Sequence, residues 1–259
     1  MREGYWVIRT YVAGSVGEKT KFWVQGARPT ASSRREKSDK KKQEQNEHSA
    51  EKQLARLINA NFGSGDLLLG LDYSPEGLQK IQERAEKQIL ETDSEAEKEN
   101  KSRAGAEHEM KLAIRRVKRE LAKKGIDLKY IAITSDMDGD TGEAVRVHHH
   151  LIVPASAKDA FVEKWQGLGH VSWSHLSDQT DYTPIAAYFL RQVRRLPDAK
   201  KYISSRNLDR PAPKDRAVYT DAELRVPRGG EILHRNEYKP GRPQYICYAL
   251  PPEQRKKRA

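Results

Sequence analysis

The sequence predicts an α+β protein built on a central antiparallel sheet flanked by helices, and three observations lead there. Strand-type and helix-type segments are interspersed without regular βα alternation, which disfavours a doubly wound parallel sheet. Residues 145–153 (VRVHHHLIV) and 128–135 (LKYIAITS) read as two strands joined by the turn-rich DMDGDTGEA. Two long charged stretches carry apolar residues at helical spacing, a pattern that docks one face of a helix and leaves the rest in solvent.

Taken in order, residues 4–12 (GYWVIRTYV) and 19–25 (KTKFWVQ) are rich in β-branched and aromatic residues and predict strands. The intervening GSVGEKT fails the phosphate-loop pattern, because Glu18 separates Gly17 from Lys19, and reads as a hairpin turn. Residues 33–61 predict a helix whose charged first half projects, while Leu54, Leu57 and Ile58 dock the second half. Its Lys40, Lys41 and Lys42 read as a solvated face. A buried strand at 66–73, a helix from Pro75 to Leu90 and a polar loop over 91–103 follow. The next helix runs to about Lys124, with Met110, Ile114, Val117 and Leu121 on one stripe and Gly125 as its stop. Beyond the paired strands lie a helix at 157–166, a short strand near 170–176 and a helix at 183–195. Residues 200–250 are basic and proline-dotted and predict irregular structure, with a strand at 244–249. The expected organisation is N-terminal strands over 1–32, a main domain with a polar helical insertion over 33–200, and a basic C-terminal region over 201–259 packed on that domain.

Composition narrows the class of partner. The 259 residues hold 48 Lys plus Arg against 37 Asp plus Glu, a formal charge of +11, so nucleic acid is the first candidate. No run of apolar residues is long enough to span a bilayer, and MREGYWVIRTYV lacks a signal-peptide layout. A single cysteine, Cys247, can form neither an internal disulfide nor a thiolate cluster. The expectation is a soluble protein of the cytoplasm without a membrane partner.

The sharpest chemical signal is His148-His149-His150 inside an apolar strand. Alternation places Val145, Val147, His149, Leu151 and Val153 on a core face. Arg146, His148, His150 and Ile152 fall on the other, with the two imidazoles about 7 Å apart along the backbone. Two neutral imidazoles pointing one way can hold a divalent ion, here Mg2+ or Mn2+, with a third ligand from a neighbouring strand. Asp136 is the first candidate for that ligand; Asp138 and Asp72 are the alternatives. The loop from Asp136 to Gly142 fails the EF-hand pattern, which requires glycine at position six and glutamate at position twelve, where this chain has Thr141 and Val147.

The second signal is TPIAAYFLRQVRR, residues 183–195. Thr183 suits an N-cap and Pro184 the first helical position. Tyr188, Arg191 and Arg195 fall on one polar face, where nearby cations favour a phenolate nucleophile and neutralise phosphate. Tyr182 precedes the cap and lies outside that face. Residues 187–216 then carry nine cations against three carboxylates, interleaved with Tyr202, Ser204, Ser205 and Asn207. Arg194, Arg195, Lys200, Lys201 and Arg206 are the expected contacts to a nucleic-acid strand.

These motifs resemble the rolling-circle replication initiators of small phages and plasmids, HUH-type endonucleases. The resemblance covers residues 33–216 in order, through NANFGSGDLLLGLDYS, KYIAITSDMDGDTGEAVRVHHHLIV, PIAAYFLRQ and KKYISSRNLDRP. It implies an HUH endonuclease-like fold, metal binding by His148 and His150, and nucleophilic attack by Tyr188. Where this chain has Ser135, Arg191 and Asp72, the family often has Glu, Lys and Thr. The implied activity is nicking of single-stranded or hairpin origin DNA through a 5′-phosphotyrosyl intermediate, followed by strand rejoining. The implied partners are a host helicase and DNA polymerase in a bacterial cytoplasm, with a phage or plasmid as source. A relaxase or single-strand transposase would share this chemistry, and a DNA-binding regulator could keep the fold without cleaving.

Overall fold

A computed structural model describes residues 4–25, 40–87, 90–193 and 201–255. It is an α+β protein with two five-stranded antiparallel sheets and five helices among the described residues. The chain forms two compact units. The first comprises Met1–Asn61, Thr180–Ala186 and Asp209–Ala259; the second comprises Phe62–Gln179 and Ala187–Leu208.

In the first unit, β1 (Gly4–Ala13) and β2 (Val16–Gln25) form the expected hairpin. The C-terminal region supplies β8 (Lys214–Val218), β9 (Glu231–Arg235) and β10 (Gln244–Ala249), in the order β8-β1-β2-β10-β9. The expectation of one central sheet and a largely irregular region over 200–250 is therefore corrected. The two edge strands β8 and β9 are five residues each, charged and mostly exposed, so they lack the apolar alternation that announces a strand. Helix α1 (Lys40–Asn61) buries Leu54, Leu57 and Ile58, as the spacing predicts. Arg56 anchors it through two hydrogen bonds of 2.9 and 2.7 Å to Glu18. Residues 33–39 of the predicted helix and the side chains of Lys40, Lys41 and Lys42 lie outside the described residues.

The second unit holds a sheet of order β6-β3-β5-β4-β7. Its strands are β3 (Asp66–Tyr73), β4 (Ile131–Met137), β5 (Ala144–Pro154), β6 (Gly169–His175) and β7 (Ile203–Ser204). Helices α2 (Pro75–Glu86), α3 (Glu95–Lys123) and α4 (Lys158–Trp165) contribute to its core. There Leu69, Leu71, Leu151 and Val153 of the sheet meet Met110, Val117, Phe161 and Trp165 of the helices. Helix α3 starts well inside the loop predicted over 91–103. Its first turns carry no apolar stripe, but Ser94 and Glu97 form a reciprocal capping box that fixes the start. Helix α5 (Thr183–Arg191) begins as predicted and is shorter than the expected 183–195.

Candidate active site

The register of the second sheet sets the candidate site. On β5, His148 lies between Asp72 of β3 and Ser135 of β4, and His150 lies between Gly70 and Ile133. One strand further out, His170 of β6 pairs with Asp72 and Ser172 with Gly70. Residues directly opposite in a ladder share a face, with Cα atoms about 4.5–5.5 Å apart. Ser135, His148, Asp72 and His170 therefore form one row across four strands, with His150 in the next. Glycine at position 70 keeps the floor open: a Cβ there would lie 2.5 Å from Ser172 Oγ and 3.9 Å from Asp72 Oδ2.

The two imidazoles converge. His148 Nδ1 lies 2.9 Å from the Arg146 carbonyl, which can only accept, so Nδ1 donates and Nε2 carries a lone pair. That Nε2 faces His150 Nε2 at 3.1 Å. Two donors in adjacent positions around an octahedral ion, each about 2.1 Å from it, stand about 3 Å apart. Burial, then the neighbouring His148, pushes the His150 pKa down to about 4, against a hydrogen bond that the ring donates to Gln192 and the charge of Asp72. His150 is thus a neutral donor at physiological pH. Gln192 is itself buried, and its Oε1 accepts from Ser135 Oγ at 3.0 Å, tying β4 to the segment just after α5.

Tyr188 reaches this pair. Its ring centroid is 5.6 Å from that of His150, and the side chain is 39% exposed, whereas Tyr182 is fully buried. Phe189 stacks on His150 at 6.0 Å and holds the helix against the strand. Arg191 is exposed at the end of α5, with its Cβ against Gly139 of the β4–β5 loop.

The expected third ligand, Asp136, is not brought to this face. A register shift follows Ser135, and the Asp136 carboxylate is ion-paired with Arg103 of α3 at 3.2 Å. Ile131 and Ile133 do not mark the helix-covered face, because the sheet is buried on both sides: Ile131, Ala132 and Ile133 are all at most 1% exposed. Asp138 is engaged by its own loop, accepting from the backbone of Asp140 and Thr141 at 2.9 and 2.8 Å. Asp72 is the acidic alternative that shares the histidine face. Among the described residues, no three His, Cys, Asp or Glu side chains converge into a cage. What does converge is a pair of imidazoles with Asp72 beside it, nitrogen and oxygen donors of the kind a divalent ion could take.

His149 occupies the opposite face, as the alternation predicts. It is fully buried, 2.7 Å from Tyr73 Oη and 3.1 Å from Thr134 Oγ1. Burial above all holds its pKa down at about 3. Of the predicted nucleic-acid contacts, Arg206 is exposed, and Lys201 lines a small cleft with Arg103 and Glu107. Arg194, Arg195 and Lys200 lie outside the described residues. The sequence reading passed over His170 and Gln192; the alternation of His170, Ser172 and Ser174 with Val171 and Trp173 was the available signal for the first. Comparison of the chain with protein-family models, curated proteins and solved structures finds no match.

Proposed function

We propose that this chain is a rolling-circle replication initiator of the HUH endonuclease class, nicking and rejoining single-stranded or hairpin origin DNA. The observation that carries this reading is the exposed Tyr188 ring 5.6 Å from a histidine whose Nε2 converges with that of His148. His148 and His150, with Asp72 alongside, would hold Mg2+ or Mn2+, which supplies Lewis-acid polarisation of a scissile phosphate. The chain's own residues do the rest. Tyr188 Oη forms a bond to phosphorus as the bond from phosphorus to the 3′ oxygen breaks. The phenolic proton passes to solvent, and the departing 3′ oxygen takes a proton from it. Arg191, one turn along α5, offsets phosphate charge. The phosphotyrosyl bond keeps the diester, so a 3′-hydroxyl can later displace Tyr188 and rejoin the strand without a nucleotide cofactor. A host helicase and polymerase would extend the freed 3′ end. The same site would serve a relaxase or single-strand transposase, which differ in the DNA they act on.

The test is incubation of the full chain with single-stranded hairpin oligonucleotides and Mn2+, followed by denaturing electrophoresis. A covalent protein–DNA band that maps to Tyr188 supports the proposal. Tight binding with no band on any substrate favours the regulator instead.

A further inference from the structure

The sheet of the first unit is covered unevenly on one of its faces. The ladders place Val218, Trp6 and Trp23 in one row, Arg216, Ile8, Lys21 and Gln244 in the next, and Lys214, Thr10, Lys19 and Ile246 in a third. Rows two residues apart are about 6.7 Å apart along the strands. Over β10 and the Lys21 position of β2, the chain after β8 folds back. Leu224 and Leu250 pack on Ile246 and Tyr248, and Asp221 and the Ala222 carbonyl take the fully buried Lys21 ammonium at 2.5 and 2.7 Å. The rest of this face stays open above a buried Trp6, with Lys214 and Arg216 of β8 exposed and Val12 of β1 and Trp23 of β2 half-exposed.

Three features of this open surface point to one kind of ligand. Trp23 is 46% exposed yet held rigidly: its ring meets Trp6 edge-on at 5.3 Å and lies where a Cβ on residue 4 would be, 2.5 Å from the ring. Glycine at position 4 is what lets the indole lie down and turn its other side to solvent. Next, Lys19, Lys214 and Arg216 fall in neighbouring rows without an ion-pair partner among the described residues, and burial, then Arg216, lowers the Lys19 pKa. The one carboxylate in β8, Asp215, points to the other face and is held there by Arg9 at 2.8 and 2.7 Å. Finally, the chain adds to the positive side, because the segment carrying Arg225 is fixed by a 2.6 Å hydrogen bond from Lys19 to its carbonyl. A rigid aromatic plate beside cations that no carboxylate neutralises is the arrangement that stacks a base and neutralises the phosphates flanking it.

We propose that this open surface is a binding platform for single-stranded DNA, with a base stacked on Trp23 and phosphates on Arg216, Lys214 and Lys19. A duplex hides its base faces from an indole plate, so single strands are favoured. The choice of DNA rests on the endonuclease reading; the platform itself rests on the first unit's residues alone.

Fluorescently labelled oligo(dT) titrated into the full chain tests this. Trp23→Ala is expected to weaken binding by roughly 5- to 150-fold, the range that base–aromatic stacking accounts for. Trp23→Phe should recover most of that loss, which a structural role for the indole in packing on Trp6 would not require. The double variant Lys214→Ala/Arg216→Ala touches only exposed side chains. It should reduce the slope of log affinity against log salt by about 1.4, about 0.7 for each lost contact to a single strand. Unchanged affinity and salt slope in variants with wild-type melting temperatures would overturn the platform. Tighter Trp23-dependent binding to oligo(U) RNA or to duplex than to oligo(dT) would overturn the assignment to single-stranded DNA. Covalent adduct formation is read separately: adduct without Trp23-dependent binding sinks the platform alone, and Trp23-dependent binding without adduct sinks the endonuclease reading alone.

Discussion

Tyr188 and His150, from a helix and a strand 38 positions apart in sequence, bring their rings to a centroid separation of 5.6 Å. Tyr182, six positions before Tyr188, is fully buried, with its backbone amide bonded to Asn59 Oδ1 at 2.8 Å. Exposure thus separates the two tyrosines that chain position alone leaves as neighbours. Tyr188→Phe should abolish covalent adduct while leaving melting temperature and DNA affinity nearly unchanged, since only an exposed hydroxyl is removed. Adduct mapped to Tyr182, or full adduct yield from Tyr188→Phe, would refute the assignment.

His148→Ala and His150→Ala are each expected to eliminate Mn2+-dependent cleavage and to lower Mn2+ affinity at least tenfold in calorimetry. Oligonucleotide binding without metal should stay within about twofold, because it rests on cations elsewhere. Retained cleavage in either variant would exclude the pair as the metal centre.

Asp72 and Asp136 should behave oppositely. Asp72→Asn is expected to reduce cleavage and Mn2+ affinity with little change in melting temperature. Asp136→Asn removes the partner of an Arg103 side chain that is 11% exposed, and should cost about 3 kcal/mol of stability in urea titrations. Its cleavage per folded molecule should remain. The reverse pattern would restore Asp136 as a ligand.

His149→Ala opens a cavity between Tyr73 and Trp165, whose rings lie 5.5 and 5.8 Å from the imidazole. A loss of about 2–4 kcal/mol is expected from urea denaturation, in the range of large-to-small core substitutions. A stability loss under 0.5 kcal/mol would mean that the site is not a packed core.

Stability should also fall with acid in a defined interval. His149 and His150 have pKa values lowered from 6.5 to about 3 and about 4. The unfolded chain takes up those protons as pH drops through about 6.5, while the folded chain refuses them, so unfolding becomes easier as pH falls from 6.5 toward 4. Urea midpoints measured in chelator at pH 7.5, 6.0 and 4.5 should decline in that order. A His150→Gln variant should decline less steeply, and an identical slope would remove His150 from the account.

Much of this protein is settled by local pattern. Alternation in 145–153 alone separates His149 from His148 and His150, because successive strand side chains must point to opposite faces. Thr183-Pro184 marks the start of α5, and the spacing of Leu54, Leu57 and Ile58 marks the docking side of α1, for equally local reasons of capping and helical periodicity. What tertiary structure alone decides is which side of a strand faces which partner when both are buried. Ile131 and Ile133 read as core in either orientation, so only the pairing of Ser135 with His148 shows that Asp136 turns to Arg103 and that Asp72 joins the histidines. The separate sheet of the first unit was hidden for a related reason. Strand β8 is held by its ladder to β1, about two hundred residues away, and a charged five-residue edge strand has no pattern of its own to announce that partner.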